Sequence, residues 1–178
     1  MTGFSLSASR WFVRGLAFVA AVTTIGCDRV TKRLAVETLA GSPGRSYLAD
    51  TVRLQYAENT GGFLSLGAGL SPSGRTAIFV VVSGLMLAGI GVAVLRHRLD
   101  RWSMLGGALF FAGGASNWLD RVMHGRVVDF LNVGAGPLRT GIFNVADVAI
   151  MAGLGLVLLG QIRVHAPAAG PEDPNAMI

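Results

Sequence analysis

Residues 113–150 read GGASNWLDRVMHGRVVDFLNVGAGPLRTGIFNVADVAI, a stretch of two apolar segments joined by a short polar loop. Six polar residues lie in or at the ends of these segments: Asn117, Asp120 and Arg121 in the first, Asp129 in the loop, and Asn144 and Asp147 inside the second. Ionisable groups in apolar segments are costly, and they mark functional sites in membrane proteins. The stretch therefore predicts a site at the edge of a membrane.

The composition of the whole chain favours a membrane protein. Of the 178 residues, 52% are hydrophobic and only 14% are charged, and the mean hydropathy is +0.56. Soluble domains carry about 25% charged residues. The net charge is +5, but basic residues beside apolar runs favour lipid headgroups over nucleic acid as partners. We therefore expect membrane lipids, and no nucleic acid, around this chain.

Long uncharged runs predict four transmembrane helices, at about residues 11–31, 76–95, 102–120 and 142–160. The predicted fold is an all-α polytopic membrane protein with a small β-sheet and a short interfacial helix in the 33–74 loop. Residues 11–165 form one membrane-embedded domain, preceded by a short N-terminal segment, 1–10, and followed by a disordered tail, 166–178. Four spans place both termini on one side of the membrane, and the basic residues do not settle which side.

The first apolar run has a second interpretation. A basic start and a short apolar run before Cys27 resemble a cleavable lipoprotein signal peptide. Thr24 stands where a leucine is expected, and Asp28–Lys32 continues a helical pattern. We therefore predict an uncleaved first helix, with Cys27 as a small buried residue.

The 33–74 loop has two recognisable parts. Val52, Leu54 and Tyr56 alternate with polar residues, which predicts a strand. The apolar residues between Phe63 and Gly67 predict a segment that lies against the membrane. Glycines recur in the predicted helices, where small residues allow close packing.

Two polar groups outside the central stretch are candidates for the site. Asp28 and Lys32 are four residues apart on one helical face, which predicts an ion pair. Lys32 is the only lysine beside 14 arginines, which suggests that a compact ammonium is required. Asn59 lies in an Asn-Thr-Gly-Gly turn, where it either forms the turn or binds a substrate backbone.

The candidates suit one kind of hydrolysis. The sequence has no Ser–His pair at a plausible spacing, no HExxH motif and no cluster of cysteines and histidines for a metal. Two carboxylates near one interface, surrounded by amides, share a proton because both cannot easily ionise. One then activates water while the other polarises a carbonyl, which is aspartic peptidase chemistry.

Five motifs resemble those of the bacterial lipoprotein signal peptidases, also called signal peptidase II. They cover Asp28–Lys32, Asn59–Phe63, Gly113–Arg121, Val127–Phe130 and Phe143–Asp147. The resemblance extends over roughly residues 11–160, and the last three motifs, in this order and spacing, are highly specific.

The resemblance implies a bacterial inner-membrane aspartic endopeptidase, without metal or cofactor, whose catalytic dyad is Asp129 and Asp147. It implies cytoplasmic termini, a site near the outer leaflet, and cleavage of prolipoproteins just before a diacylglyceryl-modified cysteine. Inhibitors of the globomycin type are expected to bind, and the protein is expected to be a monomer. Residues that bind substrate or support the site would be Asp28, Lys32, Asn59, Gly61, Asn117, Asp120, Arg121, Asn144 and Ala146.

Two other classes of protein remain open on the sequence alone. A small transporter or proton relay also keeps Asp residues in its helices, although such groups usually lie near the bilayer midplane. A purely structural membrane subunit is the second alternative, but it would not need this polar cluster. Cleavage of a lipidated precursor in detergent, without an ion gradient, discriminates between the three.

Overall fold

The computed structural model describes residues 3–62, 67, 69–96 and 99–165. In chain order, its elements are helix α1 (Gly3–Leu39), strands β1 (Arg45–Tyr47) and β2 (Val52–Asn59), helix α2 (Pro72–Thr76), a π-helical segment (Ala77–Val82), helices α3 (Ser83–Arg96) and α4 (Arg101–His124), strands β3 (Val127–Ala135) and β4 (Leu138–Arg139), and helix α5 (Val145–His165). Helix α2, the π-helical segment and α3 follow one another without a break.

Among the residues that the structure describes, three helical stretches are long and apolar enough to cross a membrane: Trp11–Leu39, Pro72–Arg96 and Val145–Arg163. Helix α4 has 24 residues but is rich in glycine and polar residues, and it packs against α1, α3 and α5. Ten of its residues are buried, so it forms the centre of the bundle. The structure thus has the predicted multi-pass helical character, with α4 enclosed by helices that qualify as spans.

Glycines bring α4 and α5 into backbone contact. A Cβ atom added to Gly106 would lie 2.5 Å from the carbonyl oxygen of Gly153, and one added to Gly113 would overlap the carbonyl oxygen of Ala146. The predicted packing role of glycine therefore holds at this interface. It draws the C-terminal half of α4 against the first turn of α5, where the candidate residues lie.

The four strands form one antiparallel sheet in the order β1-β2-β3-β4. The predicted strand alternation at residues 52–56 falls within β2. In the β2–β3 pair, Ala57 lies opposite Asp129 and Asn59 opposite Val127. The sheet thus carries Asn59 and Asp129 on adjacent strands.

The prediction that Asp129 lies in a loop is wrong. Asp129 lies on β3, between Val128 and Phe130, where β-branched and aromatic residues favour a strand. Phe130 packs with Ala35 and Leu39 of α1. The strand is therefore fixed against the bundle, and Asp129 is only 3% exposed.

The prediction that Asn144 and Asp147 lie inside a helix beginning near Ile142 is also corrected. Phe143 is still extended, because its N–H donates to the Leu131 carbonyl and its carbonyl accepts from the Leu131 N–H, both at 2.8 Å. Helix α5 begins only at Val145. Asn144 therefore precedes the helix, and Asp147 lies in its first turn.

Helix α1 extends to Leu39 and so includes the start of the predicted 33–74 loop. Cys27, which was predicted to be buried, is exposed because α1 turns Asp28 and Lys32 toward α4 instead. Most of the segment predicted as an interfacial helix, residues 63–67, lies outside the described residues. The predicted tail, 166–178, lies outside them as well.

Candidate active site

The polar residues of the central stretch converge where α4, the start of α5 and the β2–β3 pair meet. Asn59 comes from the end of β2, Asp129 from β3 and Asn117 from α4. Asn144 and Asp147 come from the start of α5. All are buried except Asp147, which is half-buried. The structure thus brings together residues that are far apart in the sequence, with Asn59 and Asp147 separated by 88 positions.

Asn144 and Asp147 cap helix α5 reciprocally. The backbone N–H of Asp147 donates to Asn144 Oδ1 at 3.0 Å, and the backbone N–H of Asn144 donates to Asp147 Oδ2 at 3.1 Å. This is the geometry of a capping box, with Asn and Asp in place of Ser and Glu. The helix N-terminus stabilises negative charge there, so the cap holds the Asp147 carboxylate in one orientation.

Asp129 receives hydrogen bonds from two amide side chains. Asn144 Nδ2 donates to Asp129 Oδ1 at 2.6 Å, and Asn59 Nδ2 donates to Asp129 Oδ2 at 3.0 Å. Burial raises the pKa of the Asp129 carboxyl above its ordinary value, and the charge of Asp147 also raises it, while the two amides act in the opposite direction. Asn144 therefore holds both carboxylates, one through its side chain and one through its backbone.

Asn117 connects this pair to a second layer of charges. Its Nδ2 donates to Asp147 Oδ1 at 2.9 Å. Its Oδ1 accepts from Lys32 Nζ at 2.7 Å and from Asn144 Nδ2 at 3.3 Å. Because the ammonium can only donate, Lys32 fixes the Asn117 amide so that its nitrogen faces Asp147.

Lys32 lies at the centre of the second layer and is 5% exposed. Its Nζ lies 2.7 Å from Asp28 Oδ2, 2.8 Å from Asp120 Oδ2 and 2.7 Å from Asn117 Oδ1. An ammonium has three N–H donors, so three acceptors satisfy it completely. The predicted i, i+4 ion pair is present, and the contacts explain why a compact cation suits this position.

The other contacts of Asp28 tie α1 to both α4 and α5. Asp28 is completely buried. Its Oδ2 accepts from Ser116 Oγ at 2.7 Å, and its Oδ1 accepts from the backbone N–H of Ala146 at 2.9 Å. Ala146 N–H is one of the free donors of the first turn of α5. Asp28 thus anchors the turn that carries Asp147.

Asp120 supports the site through α1 rather than through its neighbour Arg121. Adjacent helical residues point in different directions, and Asp120 instead pairs with Arg29 at 2.7 Å and with Lys32. Arg121 Nη2 donates to the Gly61 carbonyl at 2.5 Å, and its guanidinium lies 5.5 Å from the centre of the Phe79 ring. Gly61 in turn donates its N–H to Asn59 Oδ1 at 2.9 Å. Arg121 therefore holds the Asn59 turn over the site.

A cleft of about 350 Å³ opens at this network between α3, α4 and α5. Its polar end is formed by Asn117, Arg121 and Asp147. Its walls are apolar, and they include Phe79, Met86, Leu87, Ile90, Phe110 and Met151. An apolar ligand bound in this cleft would therefore lie next to the Asp147 carboxylate. In the described part of the chain, no three His, Cys, Asp or Glu side chains are placed to hold a metal ion.

Sequence reasoning missed three contributors to this region. Ser116 and Arg29 complete the charged layer, and Phe79 covers Arg121. Ser116 belongs to the quoted motif but received no role of its own. Arg29 is adjacent to Asp28 and reaches Asp120 only because α1 packs on α4. Nothing in the local pattern of the second span distinguishes Phe79.

Comparison with known proteins identifies the family to which this chain is similar. A family model described as signal peptidase (SPase) II matches residues 20–163. A lipoprotein signal peptidase of Azoarcus sp. (strain BH72) is 35% identical over 162 residues, covering 88% of this chain and 89% of that protein. A lipoprotein signal peptidase of Thermosynechococcus vestitus is 35% identical over 151 residues, covering 83% and 87%.

Solved structures agree at the level of the fold. A bacterial membrane enzyme solved by the in meso method at 2.3 Å resolution superposes with a TM-score of 0.72 at 23% identity, covering 85% of this chain and 90% of that one. A second bacterial membrane enzyme, solved by the same method at 1.9 Å resolution, superposes with a TM-score of 0.71 at 24% identity, covering 84% of this chain and 94% of that one. From the family match and the relatives, this chain belongs to the signal peptidase II family, a family of membrane proteases.

Proposed function

We propose that this protein is an aspartic endopeptidase that removes the signal peptide from diacylglyceryl-modified prolipoproteins, cutting just before the lipidated cysteine. The observation that carries the proposal is that one residue, Asn144, holds both Asp129 and Asp147. None of the ion pairs among the described residues involves either carboxylate. Lys32 and Arg121 act on the two carboxylates only at longer range than an ion pair, and two carboxylates at one site share one proton.

The shared proton lets the pair activate water. The ionised carboxylate takes a proton from water, whose oxygen attacks the scissile carbonyl carbon. The protonated carboxyl donates its proton to the carbonyl oxygen, and a tetrahedral intermediate forms. When the C–N bond breaks, the proton taken from water passes to the amine of the leaving cysteine, and one hydroxyl proton of the intermediate returns to the carboxylate that gave the first proton, which leaves a carboxyl product and restores the pair. Burial raises the pKa of the Asp129 carboxyl, so the pair retains a proton that belongs to the two carboxyls together.

The apolar cleft suits the part of the substrate that lies in the membrane. A signal peptide is apolar, and so are the acyl chains on the cysteine. Met86, Ile90 and Phe110 offer them apolar walls that lead to Asp147. Arg121 and Asn117, at the polar end of the cleft, suit the peptide groups next to the scissile bond.

The proposal includes the topology. Helix α4 has 24 residues and is therefore about 36 Å long, enough for a hydrocarbon core of about 30 Å. Its polar residues face α1 and α5 rather than lipid, which makes a fourth span tolerable. With four spans and both termini on the cytoplasmic side of the inner membrane, the sheet and the dyad lie at the extracytoplasmic leaflet.

The test uses the purified protein in detergent with a synthetic diacylglyceryl precursor and no ion gradient. Asp129→Asn and Asp147→Asn should each abolish cleavage while the protein remains folded. Asp100→Asn is the matched control, since Asp100 caps α4 by accepting from the Trp102 N–H, and Asn also caps helices well. Near-parental turnover by a folded Asp129→Asn or Asp147→Asn protein would remove that residue from the mechanism.

A further inference from the structure

We infer that a small polar pocket beside the cleft binds the first residue of the mature chain after the lipidated cysteine and disfavours a basic side chain there. The inference rests on the proposed function, because it names the part of the substrate that leaves the dyad on the side opposite the signal peptide. Its test rests on Arg75, which has no part in the proposed chemistry.

The pocket has a volume of about 170 Å³ and lies between the Asn59 turn, the start of the second span and the end of α4. Its polar lining consists of Thr60, Arg75, Thr76 and Arg121. The volume is enough for one side chain and its backbone but too small for a helix or a lipid chain. Two hydroxyls and two guanidiniums make it chemically unlike the apolar cleft.

Phe79 forms the wall between the two cavities, because it lines both of them together with Arg121. The π-helical segment Ala77–Val82 carries this residue, and Trp118 Nε1 fixes the segment by donating to the Val80 carbonyl at 2.8 Å. π-Helical turns often occur at functional sites. Phe79 and Arg121 therefore meet at the point where a chain passing the dyad leaves the apolar cleft.

The position of the dyad gives the direction of the substrate. Asp147 lies at the polar end of the cleft, beside Arg121. A scissile bond at Asp147 with the apolar signal peptide in the cleft sends the following residues past Arg121. The pocket on the other side of Phe79 is polar, as the mature part of a lipoprotein is expected to be.

The charge of the pocket determines which side chain it favours after the lipidated cysteine. Arg75 is half-buried, and neither Arg75 nor Arg121 forms an ion pair with a described carboxylate. No described lining residue is acidic. A basic side chain in this pocket meets the like charge of Arg75, which pairs with no described carboxylate, and that of Arg121, which Asp147 and Asp129 compensate only in part. An acidic or hydroxyl side chain finds donors there.

The test is a series of diacylglyceryl precursors that differ only in the residue after the lipidated cysteine: Asp, Ser or Lys. For the parent protein, kcat/KM should be about tenfold lower with Lys than with Asp, mainly through KM, as expected for like charges. Arg75→Glu should reverse this order. Arg45→Glu, a change of the same charge at an exposed residue of β1 that does not line either cavity, should keep the parental order.

The inference is overturned if the parent protein cleaves the Asp and Lys precursors equally well. It is also overturned if Arg75→Glu keeps the parental order or Arg45→Glu changes the order as much. If Arg75→Glu does not fold, Arg75→Gln is used instead, and it should reduce the ratio of kcat/KM for the Asp precursor to that for the Lys precursor. An unchanged ratio would also overturn the inference. These outcomes are separate from a failure of the proposed function, which would appear as cleavage by Asp129→Asn or Asp147→Asn with any of the precursors.

Discussion

Two pairs of carboxylates lie close to each other in this protein, and their partners are different. Asp28 and Asp120 contact the ammonium of Lys32, and Asp120 also contacts Arg29. Asp129 and Asp147 accept hydrogen bonds only from amide groups among the described residues. The first pair forms direct ion pairs with cations, whereas the second is held by amide groups, and Lys32 and Arg121 act on it only at longer range.

The difference separates structural support from chemistry. Carboxylates that are paired with buried cations remain ionised and hold helices together, since removing one partner leaves an uncompensated charge. Carboxylates that are oriented by amides keep a proton available between them. Asn117 is the link between the two pairs, because it accepts from Lys32 and donates to Asp147.

The largest expected effect concerns the dyad. Asp129→Asn, Asp147→Asn and the double variant should lose cleavage to nearly the same extent, because residues that act as a unit are grossly non-additive. Single-turnover rates on the diacylglyceryl precursor measure this. If the losses of the two single variants multiply in the double variant, the two carboxylates act independently. The contrast between a catalytic pair and a structural pair then does not hold.

The second effect concerns stability. Asp28→Ala should reduce the free energy of unfolding by about 3–5 kcal/mol, because it removes one of the two carboxylates that pair with the buried Lys32 ammonium and leaves the Ser116 hydroxyl and the Ala146 N–H without their acceptor. Glu37→Ala is the matched control: Glu37 pairs with Arg33 at the same i, i+4 spacing on α1, but both side chains are exposed. The Glu37→Ala variant should lose less than about 1 kcal/mol of unfolding free energy. Equal losses in thermal unfolding would show that burial of the Asp28 pair is unimportant.

A smaller effect is expected for Lys32→Arg. The guanidinium keeps the charge, but it is planar and larger than the space that three acceptors close around the Lys32 ammonium. We expect a loss of about 1–3 kcal/mol in stability and a lower kcat, because Asn117 is no longer oriented toward Asp147. Parental values of both quantities would make Lys32 an ordinary cation.

The smallest effect is a pH dependence of stability. The pKa of Asp129 is raised in the folded protein, so its ionisation costs stability as pH rises from the unfolded value of about 3.9 through the folded pKa. Below the unfolded value this cost is absent. Asp129→Asn removes the cost, so its Tm minus the parental Tm should increase as pH rises through this window. A difference in Tm that is constant with pH would contradict the raised pKa.

Much of the site follows from the sequence because its elements are local. The i, i+4 spacing of Asp28 and Lys32 requires only a helix, and the alternation at residues 52–56 requires only a strand. The cluster of amides and carboxylates in residues 113–150 is visible because polar groups stand out in apolar segments. These features survive in the structure.

The remainder depends on contacts that no local pattern encodes. The short apolar run around Asp129 is compatible with a loop or a strand until β2 pairs with it. The start of α5 is set by the Phe143 bridge and by the capping of Asn144 and Asp147, rather than by hydropathy. The partners of Asp120 come from α1, about 90 residues away in the sequence, as the Arg29 separation of 91 shows.

The central claim is that the amide-held pair keeps a proton and the cation-held pair does not. Infrared spectroscopy of the detergent-solubilised protein, at the pH of greatest activity, detects the C=O stretch of protonated carboxyl groups directly. We predict a protonated carboxyl band that is present in the parent protein, is retained in Asp120→Asn and is lost in the Asp129→Asn/Asp147→Asn double variant. A parent protein without such a band, or a double variant that keeps it, would contradict the account.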